Sequence, residues 1–120
     1  MPSLTMGDTS YQFDEAAIER VVQGGKIGNY ALGYEAGGGF QPKYVGRSDT
    51  DVKTELKVNL PATRTRQRFK FSYAATKKEA FDKECMNYHD FKVDLENDIH
   101  PRRPDATNYP CPVLGCTDLK

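Results

Sequence analysis

The chain has 120 residues, with 17 basic and 17 acidic side chains and therefore a formal net charge of zero. This length favours one compact domain, and the balanced charge means that any attraction to nucleic acid must come from a local basic surface. No apolar run approaches the ~20 residues of a membrane-spanning helix, and the start of the chain lacks the basic residues and apolar stretch of a secretory signal. We therefore expect no membrane association and a cytoplasmic location.

The first 25 residues predict a leader and a short helix. Residues 1–12 are polar and turn-forming, so we expect a flexible leader. Residues 13–25 place apolar side chains at helical spacing between an acidic first turn and a Gly-Gly stop. This pattern predicts a short amphipathic helix.

Residues 26–48 predict a β-hairpin. Two β-forming runs, residues 26–35 and 40–48, flank an Ala-Gly-Gly-Gly segment whose glycines supply the positive φ angles of a tight reversal. Because side chains alternate along a strand, Tyr30 and Tyr44 can point to the same side of the hairpin.

A second helix and a third strand follow the hairpin. Residues 48–60 predict a short helix that Ser48 or Asp49 caps. In residues 62–75 basic and aromatic side chains alternate, which predicts a strand with one basic face and one buried face. The basic face consists of Arg64, Arg66, Arg68 and Lys70.

This basic face permits two interpretations. In the first, the basic face, joined by Arg102 and Arg103, contacts DNA phosphates and binds DNA with an affinity that depends on salt. Alternatively, it is the solvated outer face of an edge strand, where positive charge blocks pairing with other sheets.

Residues 76–91 predict the longest helix, which opens with Thr76 and Glu79 at capping-box spacing. Glu84 falls within the arc of apolar side chains on this helix. A buried carboxylate is costly unless it is paired, hydrogen-bonded or bound to a cation. Glu84 is therefore either a cation ligand at an open cleft or a glutamate that reaches solvent or an arginine.

Residues 92–120 hold four of the seven prolines and predict an irregular tail that packs on the domain. Cys111 and Cys116 follow His100 in this tail, while Cys85 and His89 lie one turn apart on the preceding helix. Four of these side chains suit a tetrahedral structural zinc site that pins the tail. The predicted set is Cys85, His100, Cys111 and Cys116, although Cys85 also suits a small core residue.

The order of these elements resembles the GIY-YIG nuclease superfamily, and in particular its small bacterial members. Gly-Asn-Tyr at 28–30 stands where the family has its first tripeptide, and Tyr-Val-Gly at 44–46 where it has its second. A helix, a third strand and a helix with an acidic residue, here Glu84, follow in the family's order. The resemblance covers residues 28 to about 91, and Asn108 is a candidate for the asparagine that many members carry near their end.

The resemblance implies an α+β domain over residues 13–91, in which helices flank a three-stranded antiparallel sheet, with an irregular tail over residues 92–120. It implies a DNA endonuclease that uses one divalent ion, Mg²⁺ or Mn²⁺, to polarise the scissile phosphate, while a tyrosine helps to orient or deprotonate the attacking water. The implied catalytic residues are Tyr30, Tyr44, Arg47 and Glu84, with Glu84 on the metal. Substrate-binding residues would be Asn108 and the basic face of the third strand.

The chain departs from the family at one charged position. The family arginine, one turn into the helix after the second tripeptide, aligns with Glu55. Losing one transition-state donor lowers rates by roughly 10²–10³-fold, and Arg47 is the best available replacement. Two functions therefore stay open: a metal-dependent endonuclease, or a catalytically degenerate domain that binds nucleic acid or a protein partner without cleavage.

Overall fold

Our computed structural model describes residues 4–97, 99–113 and 116. Within these residues the chain is α+β, with one four-stranded antiparallel sheet and three helices. The elements are β1 (Tyr11–Gln12), α1 (Glu15–Val21), β2 (Gly28–Ala36), β3 (Gly39–Ser48), α2 (Val52–Val58), β4 (Arg68–Tyr73) and α3 (Lys77–Phe91). None of these helices has both the length and the apolar character that crossing a bilayer requires. Parts of the predicted leader and tail, residues 1–3, 98, 114, 115 and 117–120, lie outside the described residues.

The strand order is β1-β4-β2-β3, which places β2 between the two strands that pair with it along most of its length. Tyr30 on β2 lies opposite Gly46 on β3 and opposite Phe71 on β4. The prediction of a three-stranded sheet therefore misses one strand, because β1 pairs with β4 as a fourth strand and Tyr11 lies opposite Phe69. A strand of two residues is too short to show the alternation from which strands are predicted.

β4 pairs with β2 along its whole length, and with β1 only at Arg68 and Phe69. The interpretation of the basic side chains as protection of an edge strand therefore fails at Arg68, whereas Lys70 lies beyond the pairing with β1. The strand also begins at Arg68, later than the predicted residue 62. Before it, Thr63 and Arg66 exchange backbone hydrogen bonds of 3.2 and 3.1 Å, which close a turn.

The outer edge of β3 is covered by the segment that follows α3. The backbone N–H of Glu96 donates to the carbonyl of Lys43 at 2.5 Å. The Asn97 side chain accepts from the N–H of Val45 at 3.0 Å and donates to its carbonyl at 2.9 Å. These bonds satisfy backbone N–H and C=O groups that would otherwise be free to pair with another strand.

The two faces of the sheet support two apolar cores. On one face, Tyr30, Leu32 and Phe69 pack against side chains from α1 and α2. On the other face, Val45 packs against Tyr88 of α3. The sheet is thus covered by helices on both sides, and α3 lies on the side opposite to α1 and α2.

The segment before β1 packs on the α3 side of the sheet. Leu4 and Met6 are only 7% and 8% exposed and belong to the second core. The Nζ of Lys70 donates to the carbonyl of Gly7 at 2.9 Å. Residues 4–12 are therefore a packed part of the domain, in contrast to the predicted flexible leader. Isolated apolar side chains in an irregular segment produce no periodic signal, which is why the sequence did not reveal them.

Aspartate and threonine side chains cap α2 and α3. Asp51 accepts the N–H groups of the first turn of α2, so the predicted caps Ser48 and Asp49 are wrong by two or more positions. Ser48 instead accepts the N–H of Asp51 at 2.8 Å and shapes the turn before the helix. The predicted cap at α3 is confirmed, since Thr76 Oγ1 accepts the N–H of Glu79 at 3.1 Å.

Candidate active site and metal centre

A cleft of about 380 Å³ gathers the four residues that the sequence singled out as catalytic, Tyr30, Tyr44, Arg47 and Glu84. Strand alternation directs the two tyrosines to the face that carries α1 and α2, whereas Arg47 points to the face that carries α3. Side chains from both faces of the sheet therefore line the same cleft. The remaining walls come from α2 and from the tail.

The two tyrosines form a stacked pair at the floor of the cleft. Their ring centroids are 6.2 Å apart, and Tyr30 is only 2% exposed whereas Tyr44 is half-buried. The Tyr30 hydroxyl accepts a hydrogen bond from Asn59 Nδ2 at 3.1 Å. Burial raises the pKa of both phenols above the ordinary value, so both keep their protons at neutral pH. Asn59 is the C-terminal cap of α2, and no sequence motif marks it as a functional residue.

Arg47 and Glu84 form a buried ion pair across the cleft wall. Arg47 Nη1 lies 2.5 Å from Glu84 Oε1, and its Nε lies 2.8 Å from Asp49 Oδ1. The guanidinium also lies over the ring of Phe81, 5.3 Å from the centroid. This pair explains how a carboxylate can sit within the apolar stripe of α3, and it agrees with the interpretation of Glu84 as a glutamate that meets an arginine.

Glu84 has a perturbed acidity. Burial raises the pKa of this carboxyl from 4.5 to about 7, against the opposing attraction of the Arg47 guanidinium. The negative charges of Asp49 and Glu55 act in the same direction as burial. A carboxyl that titrates near neutral pH in a cleft is typical of functional sites.

Glu55 lines the same cleft from the first turn of α2. Burial raises the pKa of this half-buried carboxyl as well. This position of α2 therefore presents a carboxyl to the cleft.

The predicted basic face does not form one continuous surface. Arg68 donates to the hydroxyl and the carbonyl of Ser10, as Lys70 does to the carbonyl of Gly7. Arg64 lines a separate pocket. Arg66 contacts a residue of the cleft, since its guanidinium lies 4.5 Å from the centroid of the Tyr44 ring, but Arg66 itself does not belong to the cleft lining.

Arg66 also forms an ion pair outside the cleft lining, with its Nε 2.8 Å from Glu96 Oε1. Arg102 and Arg103 line the cleft directly. The prediction that these two arginines join the basic face of the strand is not met, because they lie at the cleft and most of the strand residues do not.

The asparagine at the cleft is Asn97 and not the predicted Asn108. Asn97 lines the cleft while its amide bonds Val45. Asn108 is exposed and does not belong to the cleft lining. No local sequence signal distinguishes the two, because both stand in irregular segments.

Two histidines and two cysteines form a candidate metal centre beside the cleft. His89, His100, Cys111 and Cys116 place one donor atom each within 4.8 Å of one another. Cys116 Sγ and His100 Nε2 are 3.5 Å apart, close to the edge of about 3.6 Å that two such ligands span on a tetrahedral zinc ion. His100 Nδ1 lies 2.9 Å from the carbonyl of Pro101 and must donate to it, which leaves Nε2 unprotonated as a ligand in the neutral ring.

His89 occupies the place in this cluster that the sequence assigned to Cys85. Both residues lie on the same stripe of α3, one turn apart, so helical periodicity alone could not choose between them. Cys85 is fully buried in the core, and burial raises the pKa of its thiol. The His89 ring instead packs against that of His100, with centroids 5.2 Å apart.

No protein-family model matches the chain, and no curated protein or solved structure is significantly similar to it. The functional argument therefore depends on the geometry and chemistry of the cleft and of the His/Cys cluster.

Proposed function

We propose that the protein is a GIY-YIG-type endonuclease that hydrolyses phosphodiester bonds in DNA with the help of one divalent cation. The observation that carries this proposal is the meeting of Tyr30, Tyr44, Arg47 and Glu84 in a single cleft. These side chains come from β2, β3 and α3, so only the folded chain brings them together.

The donor chemistry of the cleft fits a hard cation that keeps part of its water shell. Glu84 is a carboxylate in an accessible cleft, and in the described residues no three carboxylates cluster tightly enough to enclose an ion. Mg²⁺ is commonly held in this way, by one or two carboxylates together with waters and substrate phosphates. Glu84 would hold the ion, which would polarise the scissile phosphate and stabilise the leaving oxygen.

The chain's own groups supply orientation and positive charge. Asp49 and Glu84 hold the Arg47 guanidinium in place, so that it is preorganised to neutralise charge on a phosphate. Because burial keeps the Tyr44 phenol protonated, it orients an attacking water by hydrogen bonding and does not remove the proton itself. Tyr30 supports Tyr44 through ring stacking.

A nicking assay on linear and branched DNA with Mg²⁺ or Mn²⁺ tests this proposal. We expect cleavage by the wild type and none by Glu84→Gln, and a loss of roughly 10²-fold for Tyr44→Phe. Asp90→Asn is the matched control, because Asp90 is an exposed carboxylate on the same helix. Absence of cleavage by the wild type, or equal cleavage by the wild type and Glu84→Gln, would contradict the proposal.

A second function, DNA binding without cleavage, is favoured by Glu55. This carboxyl faces the cleft at the family arginine position, and it would repel a phosphate there. On this alternative, Glu55→Arg creates or raises cleavage while the wild type binds DNA and leaves it intact. Turnover by the wild type at an ordinary rate would exclude the alternative.

We further propose zinc as the metal of the His/Cys cluster. Two thiolates and two imidazoles suit Zn²⁺, whereas Mg²⁺ and Ca²⁺ prefer oxygen ligands. Elemental analysis of the purified protein is expected to find about one zinc per chain. A protein that holds no zinc after reconstitution would contradict this assignment.

A further inference from the structure

One wall of the cleft is formed by the part of the tail that begins at the metal centre. Residues 99–103 and Asp105 line the cleft, and Arg102 and Arg103 are its positive groups on this side. His100 belongs to both features, because it lines the cleft and also supplies a donor atom to the His/Cys cluster.

This wall has no regular secondary structure to hold it in place. Residues 99–113 contain neither helix nor strand, and prolines at 101, 104, 110 and 112 remove four backbone donors from the segment. Two of its side-chain hydrogen bonds are local. Arg103 Nε donates to the carbonyl of Tyr109 at 2.9 Å, and Thr107 Oγ1 donates to that of Pro104 at 2.6 Å. Such bonds shape the loop without joining it to the sheet.

The His/Cys cluster joins this segment to α3, in addition to the burial of Pro101 and Pro104 and the packing of the His100 ring on Tyr88. His89 belongs to α3, whereas His100, Cys111 and Cys116 belong to the tail. An ion held by all four would close residues 100–111 into a loop anchored on α3. Closing a loop removes conformational freedom from it, and the binding free energy of a structural metal is in effect folding free energy of the segment that it ties.

We propose that metal binding at His89, His100, Cys111 and Cys116 assembles the wall of the cleft that presents Arg102 and Arg103 to DNA phosphates. The assembly of the wall stands on the geometry alone, whereas the contact with DNA rests on the function proposed above. The metal centre is then a structural determinant of substrate binding and takes no part in the bond cleavage. Loss of the metal loosens the wall and leaves the sheet and its two cores folded.

Limited proteolysis tests the assembly of the wall without any nucleic acid. Trypsin can cut after Arg102, while the bond after Arg103 resists because Pro104 follows. We expect the zinc-loaded wild type to resist the cut. Chelator-treated wild type and His89→Ala are expected to be cut roughly tenfold faster, because proteolysis follows the population of the open form. Circular dichroism of the same samples reports whether the core stays folded.

Met86→Ala is the matched control for His89→Ala. Met86 lies on the same helix, is 45% exposed and does not belong to the cluster, so this variant is expected to retain its zinc and its resistance to trypsin. Retention of zinc by His89→Ala together with loss by Cys85→Ala would overturn the assignment of the ligands.

The salt dependence of DNA binding tests the second half of the proposal. In the zinc-loaded protein, Arg102→Gln combined with Arg103→Gln is expected to weaken the salt dependence. The negative slope of log affinity against log salt should become smaller in magnitude by about 2 units, one for each phosphate contact. Zinc removal alone should reduce the magnitude of the slope by the same amount, and the two changes together should reduce it no further.

The outcomes separate this inference from the proposed function. If the wild type binds no DNA but zinc still protects the bond after Arg102, the proposed function fails and the assembly of the wall stands. If the metal-free protein is folded and equally protected, the inference fails whatever the nuclease assay shows. An unchanged salt slope after zinc removal would overturn the role assigned to Arg102 and Arg103.

Discussion

At the scale of single residues, Gly46 shows why glycine is required at the third position of the Tyr-Val-Gly tripeptide. A Cβ built on Gly46 would lie 2.4 Å from both Cζ and the hydroxyl of Tyr30, because the tyrosine ring crosses the backbone of β3 at this point. The small residue therefore creates the space in which Tyr30 lies. The floor of the cleft depends on this contact.

Gly46→Ala is expected to displace the Tyr30 ring and to lower the free energy of unfolding by about 1–3 kcal/mol. Chemical denaturation measures the loss. Gly39→Ala is the control, since a Cβ there meets nothing within 4 Å and the glycine is not in the left-handed region. Equal stability of the two variants would show that Tyr30 does not occupy the observed position.

Glu84 predicts a dependence of stability on pH. Burial raises its folded-state pKa to about 7 from an ordinary value of 4.5. Between these values the unfolded chain releases its proton first, so the free energy of unfolding falls as the pH rises from 4.5 to 7 and is level above it. Relative to Glu84→Gln, the wild type should lose about 3 kcal/mol across this window. A constant difference between the two proteins, measured by denaturation at several pH values, would contradict the raised pKa.

The same titration predicts how cation binding depends on pH. Only the ionised Glu84 attracts a divalent ion, so the affinity for Mn²⁺ should rise by about tenfold for each pH unit up to about 7 and then level off. Calorimetry on the zinc-loaded protein measures this affinity. Glu84→Gln should show weak binding at every pH, and a wild-type affinity that is independent of pH would argue against Glu84 as the ligand.

At the scale of elements, α1 and α2 are joined by a small group of opposite charges. Glu19 on α1 forms ion pairs with Lys53, at 2.7 Å, and with Lys57, both on α2. These two lysines lower the pKa of Glu19 to about 2. Because the folded-state value lies below the ordinary 4.5, the stabilisation is present above pH 4.5 and is lost as the pH falls towards 2.

Glu19→Gln is therefore expected to lower the melting temperature slightly at pH 7, by an amount that shrinks with added salt and vanishes near pH 2. The effect is small because Glu19 is exposed. Glu15→Gln, an exposed carboxylate one turn earlier on α1, should have less effect. Thermal scans at two salt concentrations provide the comparison, and a loss that is insensitive to salt would exclude an electrostatic origin.

At the scale of the whole molecule, the N-terminal segment completes the second core. Met6 is 8% exposed and packs with Leu4 over the α3 side of the sheet. Met6→Ala should lower the free energy of unfolding by about 2 kcal/mol or slightly more. Val93→Ala is the control because Val93 is 97% exposed. If denaturation finds the two variants equally stable, residues 4–12 behave as the flexible leader that the sequence predicted.

Much of the secondary structure was predictable because it depends on neighbours in the chain. The hairpin, the three helices and the cap at Thr76 all produce local patterns of periodicity or turn chemistry. The shared direction of Tyr30 and Tyr44 also follows from alternation within one hairpin. The two-residue strand β1 and the packed N-terminal segment produce no such pattern.

By itself, the sequence determined which residues could carry chemistry, because residue type and local spacing are properties of the chain. Only the tertiary structure decided which of them meet. It paired Glu84 with Arg47, placed Asn97 at the cleft, brought His89 into the candidate metal centre and separated the strand arginines. The physical reason is that these choices depend on contacts between segments distant in sequence, whose positions are set by how the whole sheet and its two cores pack.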